Sequence, residues 1–92
     1  MKTTDELIKQ LKTRDSSVKE HVIGKLTAIG DEQAVDALIQ LIKDKNRFIR
    51  QEVTTALGRI GGAKITEALN QALTEEKDVF VQDSIKRALA KL

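Results

Sequence analysis

The chain has 92 residues, 40% hydrophobic, 33% charged and 2% aromatic, with a net charge of +2 and no cysteine or proline. That length suits one small domain, here taken as 1–92, and the apolar share excludes a disordered tail. Disulfides and thiolate metal sites are excluded, no apolar run approaches the roughly 20 residues of a membrane span, and +2 is too small to argue for nucleic acid by itself. Phe48 and Phe80 are the only aromatic residues, so the core must be aliphatic. Met1-Lys2 is not followed by a secretory signal core, which makes the cytoplasm the expected location.

In chain order, Thr3-Thr4-Asp5-Glu6 reads as a capping box opening a helix to about Thr13. Ser17-Val18-Lys19-Glu20 reads as a second capping box, opening a helix that Gly30 closes. Asp31 caps a third helix, Glu32 to about Asp44, and Asn46 caps a fourth, Arg47–Ile60. In that fourth helix Ile49, Val53, Ala56, Leu57 and Ile60 recur at three- and four-residue steps, and Gly61-Gly62 stops it. A fifth helix runs from Ala63 to about Glu75. Asp78 caps a sixth, which reaches the end of the sequence. Connections of a few residues force successive helices to run antiparallel.

The helices repeat. Leu7 and Leu11 become Leu38 and Ile42 on adding 31, then Leu69 and Leu73 on adding 31 again. Val18, Val22, Leu26, Ile29 and Gly30 become Ile49, Val53, Leu57, Ile60 and Gly61 at 31, and the next set, Val81, Ile85, Leu89 and Leu92, follows at 32. The extra residue is expected in a loop between Leu73 and Val81. One hairpin cannot bury its apolar face, but three stacked hairpins share a core. The expected fold is all-α: a short right-handed α-α superhelix, or solenoid, of three stacked hairpins and six helices, with repeats at about 3–31, 32–62 and 63–92.

The segments Asn46–Gly62 and Gly30–Leu41 carry an aliphatic-Arg pair opening a helix, Ala-Leu-Gly near its end, then Ile-Gly-Asp and Ala-Val. This resembles HEAT-like repeats of the phycobilisome-lyase type, most strongly in the middle repeat. The Asp-x-x-aliphatic-Arg element of such repeats matches Asp15–Lys19 and Asn46–Arg50, and in the third unit it reads Asp78–Gln82, without the cation. The resemblance implies polar links between adjacent repeats, incomplete here, and a binding surface on the layer formed by the second helix of each hairpin.

HEAT-like enzymes place demands this chain does not meet. Deoxyhypusine hydroxylases hold di-iron with repeated His-Glu pairs, but His21 is the only histidine and stands in Glu20-His21, the reverse order. HEAT-like DNA glycosylases use aromatics, and Trp and Tyr are absent. Phycobilin lyases are much longer. No glycine-rich phosphate loop occurs, and Ser16 and Ser17 read as capping residues. The expectation is a non-enzyme with no catalytic residues, metal or cofactor.

Phe48 and Phe80 share one repeat position, where the first unit has Ser17, and the helical wheel points it away from the core stripe. An exposed aromatic pair would anchor a partner; alternatively both rings fill the gap between repeats. The second helices of the hairpins carry an excess of Lys and Arg, while the first helices are neutral or acidic. The candidate partner-binding residues are Phe48, Arg50, Arg59, Phe80, Lys86 and Arg87, with an acidic protein segment as ligand. Arg50 has a competing role in the inter-repeat links, and Arg59 fits a cation at a helix C-terminus. Nucleic acid on the same layer is the alternative, and a link to phycobilin attachment follows only from the resemblance. His21 reads as a surface or inter-repeat residue, and Gly24 as a close-approach point or as drift. The face of Ile65, Leu69, Leu73, Ile85 and Leu89 is expected either to stay partly open, for a homodimer at the C-terminal end or for docking onto a larger partner, or to be consumed by packing against the second repeat.

Overall fold

The computed structural model describes residues 3–92. It contains α1 (Thr4–Gln10), α2 (Ser16–Ile29), α3 (Glu32–Gln40), α4 (Arg47–Ile60), α5 (Ala63–Glu75) and α6 (Val79–Ala90), with a 3-10 turn over Leu41–Lys43 continuing α3. No strand occurs among the described residues. Helices α2, α4 and α6 pack side by side, and α1, α3 and α5 back them as a second layer. The stack measures 35 × 26 × 15 Å.

The repeated apolar positions form the core. Val22 and Leu26, then Ile49, Val53 and Leu57, then Val81 and Ile85 are buried from one layer, and Leu7, Leu38, Ile65 and Leu69 from the other. The stripe fades at helix ends, where Ile29 and Leu92 stand exposed. The expected open face at the last hairpin is mostly taken up by the chain itself: Ile65, Leu69 and Ile85 are buried, and only Leu73 and Leu89 are partly exposed. That removes most of the surface on which the homodimer expectation rested.

Local chemistry sets the helix starts. Asp31 accepts the Ala34 N–H, Asn46 that of Phe48, and Asp78 those of Phe80 and Val81. Thr3 accepts the Glu6 N–H, as its capping box requires. The expected box at Ser17–Glu20 is not used. Asp15 caps α2 instead, accepting the Ser17 N–H at 2.9 Å, and Ser17 lies inside the helix. Asp15, Asn46 and Asp78 thus cap the three equivalent helices in the same way. Helix α1 stops earlier than expected, at Gln10, because Leu11 and Lys12 donate to Ile8 and Lys9 in three-residue turns that tighten its end.

The extra residue of the third unit is accommodated at a helix end rather than as added loop. The second hairpin tightens to 3-10 over Leu41–Lys43, whereas α5 stays α-helical through Glu75. Three residues at about 2.0 Å rise cover the same ~6 Å as four α-helical residues at about 1.5 Å. The two hairpins therefore reach the same height with different residue counts.

Two glycines within helices play opposite parts. A Cβ on Gly58 would stand 2.9 Å from the Ala88 Cβ, so its absence lets α6 close onto α4. A Cβ on Gly24 would meet nothing within 4 Å. Alanine gains up to about 1 kcal/mol over glycine in a helix, while overpacking costs about 1–3 kcal/mol. Gly24→Ala is therefore expected to raise the unfolding free energy by about 0.5–1 kcal/mol, and Gly58→Ala to lower it by about 1 kcal/mol. Urea unfolding followed by circular dichroism checks both, and equal signs would contradict the packing described here.

Candidate partner-binding surface

Asn46 and Asp78 orient the first turns of α4 and α6. Ile49 and Val81 turn inward there, so the preceding residues face outward. Phe48 is 59% exposed, Phe80 62% and Val79 66%. The aromatic pair is thus on the surface, as the helical wheel predicts, and does not fill the gap between hairpins. Between the two rings lies Arg47, its Cζ 5.1 Å from the Phe48 centroid and 5.5 Å from that of Phe80. Its Nη1 also donates to Asp78 Oδ2 at 3.3 Å. One guanidinium therefore holds both aromatic rings and the cap of the next helix in one arrangement.

Arg47 and Val79 were not among the residues picked out in the sequence, although they share a repeat register. The stacking shows why: Ser16, at the register of Arg47, likewise accepts from the Asn46 amide at 2.9 Å, a contact with the next hairpin that no single helix announces. That position meets the cap of the next hairpin each time.

Arg50 belongs elsewhere. Its Nε and Nη2 donate to Glu76 at 2.9 and 3.3 Å, and its Nη1 to the Asp44 carbonyl at 2.8 Å. Lys19, one repeat earlier, lies 2.6 Å from Asp44. Gln82, one repeat later, donates to the Glu76 carbonyl at 2.7 Å. Gln82 thus keeps the contact within its own hairpin and lacks the outward one, so the expected incomplete ladder takes this specific form. Arg50 is committed on both sides and presents no free donor face to a partner. Across the other layer, Gln33 donates to Asp5, and at the same register Lys64 pairs with Asp36.

The remaining cations separate. Arg59 and Arg87 are exposed, and Arg87 pairs with Asp83 at 3.0 Å. Arg87 lies seven residues beyond Phe80, two helical turns or about 10 Å along the same face. With Thr55, Ser84, Ala88 and Lys91 it lines a small depression of about 190 Å³. Lys86 does not share that face. Its register partners Ile23 and Thr54 are buried between hairpins, and Lys86 is exposed because no further helix among the described residues packs on α6 there. Thr54 is satisfied, donating to the Arg50 carbonyl at 2.7 Å. His21 and Gly24 are exposed.

Burial raises the pKa of the Asp44 carboxyl, but hydrogen bonds from Lys19 and the Asn46 N–H, with the charges of Lys19 and Arg50, outweigh it and hold it below the usual aspartate value. A carboxyl with a depressed folded pKa contributes stability that is present above its unfolded value, about 3.9, and is lost as pH falls through the folded value. Below about pH 4 the native chain should therefore lose urea resistance more steeply than an Asp44→Asn variant does. Parallel acid limbs in the two proteins would remove Asp44 from the account.

No group of three or more His, Cys, Asp or Glu residues able to hold a metal ion occurs among the described residues. Nor is any described helix long and apolar enough to cross a membrane. Stacked antiparallel hairpins, joined by polar links and presenting one layer of side chains outward, define a helical-repeat solenoid. The chain belongs to the HEAT repeat family: a profile of HEAT repeats matches residues 4–90. No curated protein matches it. HEAT repeats generally serve as protein-interaction scaffolds.

Proposed function

We propose that the chain is a non-enzymatic interaction module that holds an acidic protein segment, carrying an apolar anchor, on the α2/α4/α6 layer. The observation that carries this reading is the exposed Phe48–Arg47–Phe80 stack. Rings held by a guanidinium lose little freedom on binding, and the outer edge of Arg47 remains for a carboxylate. Arg87 and Arg59 supply charge two or more turns away. A cytoplasmic setting agrees with this reading.

The test is capture of partners from the native cells by the tagged protein, followed by affinity measurement on the segment identified. Phe48→Ala/Phe80→Ala should weaken binding at least tenfold without altering the fold, since both rings are exposed; about 1.4 kcal/mol suffices. Charge reversal at Arg47 and Arg87 should weaken it further. Undiminished binding by both variants refutes the surface. If nucleic acid were the ligand of this layer, affinity would fall steeply with salt, and no retardation of DNA or RNA at about 50 mM salt removes that reading.

A further inference from the structure

The opposite layer carries a groove of about 550 Å³ between the C-terminal ends of α3 and α5. Ile39, Ala68 and Ala72 line its apolar part, and Lys43, Lys45 and Lys77 line its edge. Its size is within the range of ligand sites, roughly 300–1,000 Å³. Ala72 stands at the register of Leu41 in the preceding hairpin, so the third hairpin offers only a methyl where the second has a full aliphatic side chain.

The charges around the groove are unbalanced. Asp44, Arg50 and Glu76 are consumed in the polar ladder. Glu75 accepts the Gln71 amide at 2.7 Å and keeps its negative charge, so outside the ladder three lysines stand against one carboxylate in the lining. Lys43, Lys45 and Lys77 are exposed and form no ion pair among the described residues. An apolar cleft edged by three unpaired ammonium groups is complementary to an aliphatic side chain flanked by carboxylates. No aromatic residue lines it, so it has no platform for stacking bases. It lies open along the surface, which suits a passing chain better than a small amphiphile that needs enclosure.

We propose that this groove is a second binding site, which takes an aliphatic side chain of an acidic peptide segment independently of the Phe48/Phe80 surface. Opposite layers of the stack would then hold two segments, and the module would join two partners or two parts of one.

An amide-resolved NMR titration of the full chain with the probe peptide acetyl-Glu-Glu-Leu-Leu-Glu-Glu-amide tests it. Saturable shifts are expected at Ile39, Ala68 and Ala72. Ala72→Leu, which fills the cleft, should weaken binding at least tenfold, and so should Lys45→Glu/Lys77→Glu, whose exposed positions leave the fold unaffected. The same peptide with Gln in place of Glu should bind at least fivefold more weakly. Phe48→Ala/Phe80→Ala should leave these shifts unchanged, so the two surfaces are read separately. No shifts at the three groove residues, or undiminished shifts in Ala72→Leu, would overturn the site. Equal binding of the Gln peptide would overturn its charge preference. Tighter binding of decanoate at the same amides would overturn the peptide as occupant.

Discussion

Arg50→Ala is expected to lower the unfolding free energy by about 3 kcal/mol, a large share of the total for a chain of this size, which is roughly 5–14 kcal/mol. The side chains of Arg50 and Glu76 are 18% and 9% exposed, and they meet through two hydrogen bonds. Removing the guanidinium leaves a largely buried carboxylate without its partner, which costs about 3–5 kcal/mol where burial is complete and less with residual solvent. It also uncovers the Asp44 carbonyl. Arg50→Lys keeps the charge but loses the fork, and should fall between wild type and alanine. Arg50→Ala/Glu76→Ala should cost less than the two single changes added together, because the double change leaves no unpaired charge. Urea unfolding of the four proteins checks the cycle. A loss below about 1 kcal/mol for Arg50→Ala would reduce the ladder to the level of a surface ion pair.

Leu57→Ala is expected to cost about 3–4 kcal/mol, and Leu89→Ala about half as much. The two residues share a register, with Leu26 as the third. Leu57 is completely buried because α4 is flanked by α2 and α6, whereas Leu89 is only partly covered. The lost transfer energy and the residual cavity both scale with that burial. Thermal or urea unfolding of the two variants measures the difference. Equal losses would mean that the middle hairpin is no better supported than the last.

The same contrast shows where pattern reading works. Helical periodicity, the caps Asp31, Asn46 and Asp78, and the glycine stops are local, and each appears where the residues place it. Gly61 and Gly62 adopt φ of +74° and +109°, which side chains rarely tolerate. The Ser17 box failed because two capping solutions sit two residues apart, and a carboxylate at Asp15 took the donor first. Phe48 and Phe80 were legible because their register repeats and faces away from the core stripe. Arg47 was not, because its position is defined by the ring of the next hairpin rather than by its own helix.

By itself, then, the sequence determined the aliphatic stripe, from spacings within about one helical turn, and the number and order of the hairpins, from the recurrence of that stripe at 31 and 32 residues. The tertiary structure decided which polar residues are free. Arg50 and Lys86 look alike as cations on a basic layer, yet one is locked between Asp44 and Glu76 and the other is exposed on α6. The reason is physical: a cation's availability depends on which neighbouring carboxylates and carbonyls lie within about 3 Å. For Arg50 the Asp44 carbonyl lies six residues back in its own hairpin, but the Glu76 carboxylate lies 26 residues ahead in the next one, and only stacking brings it there.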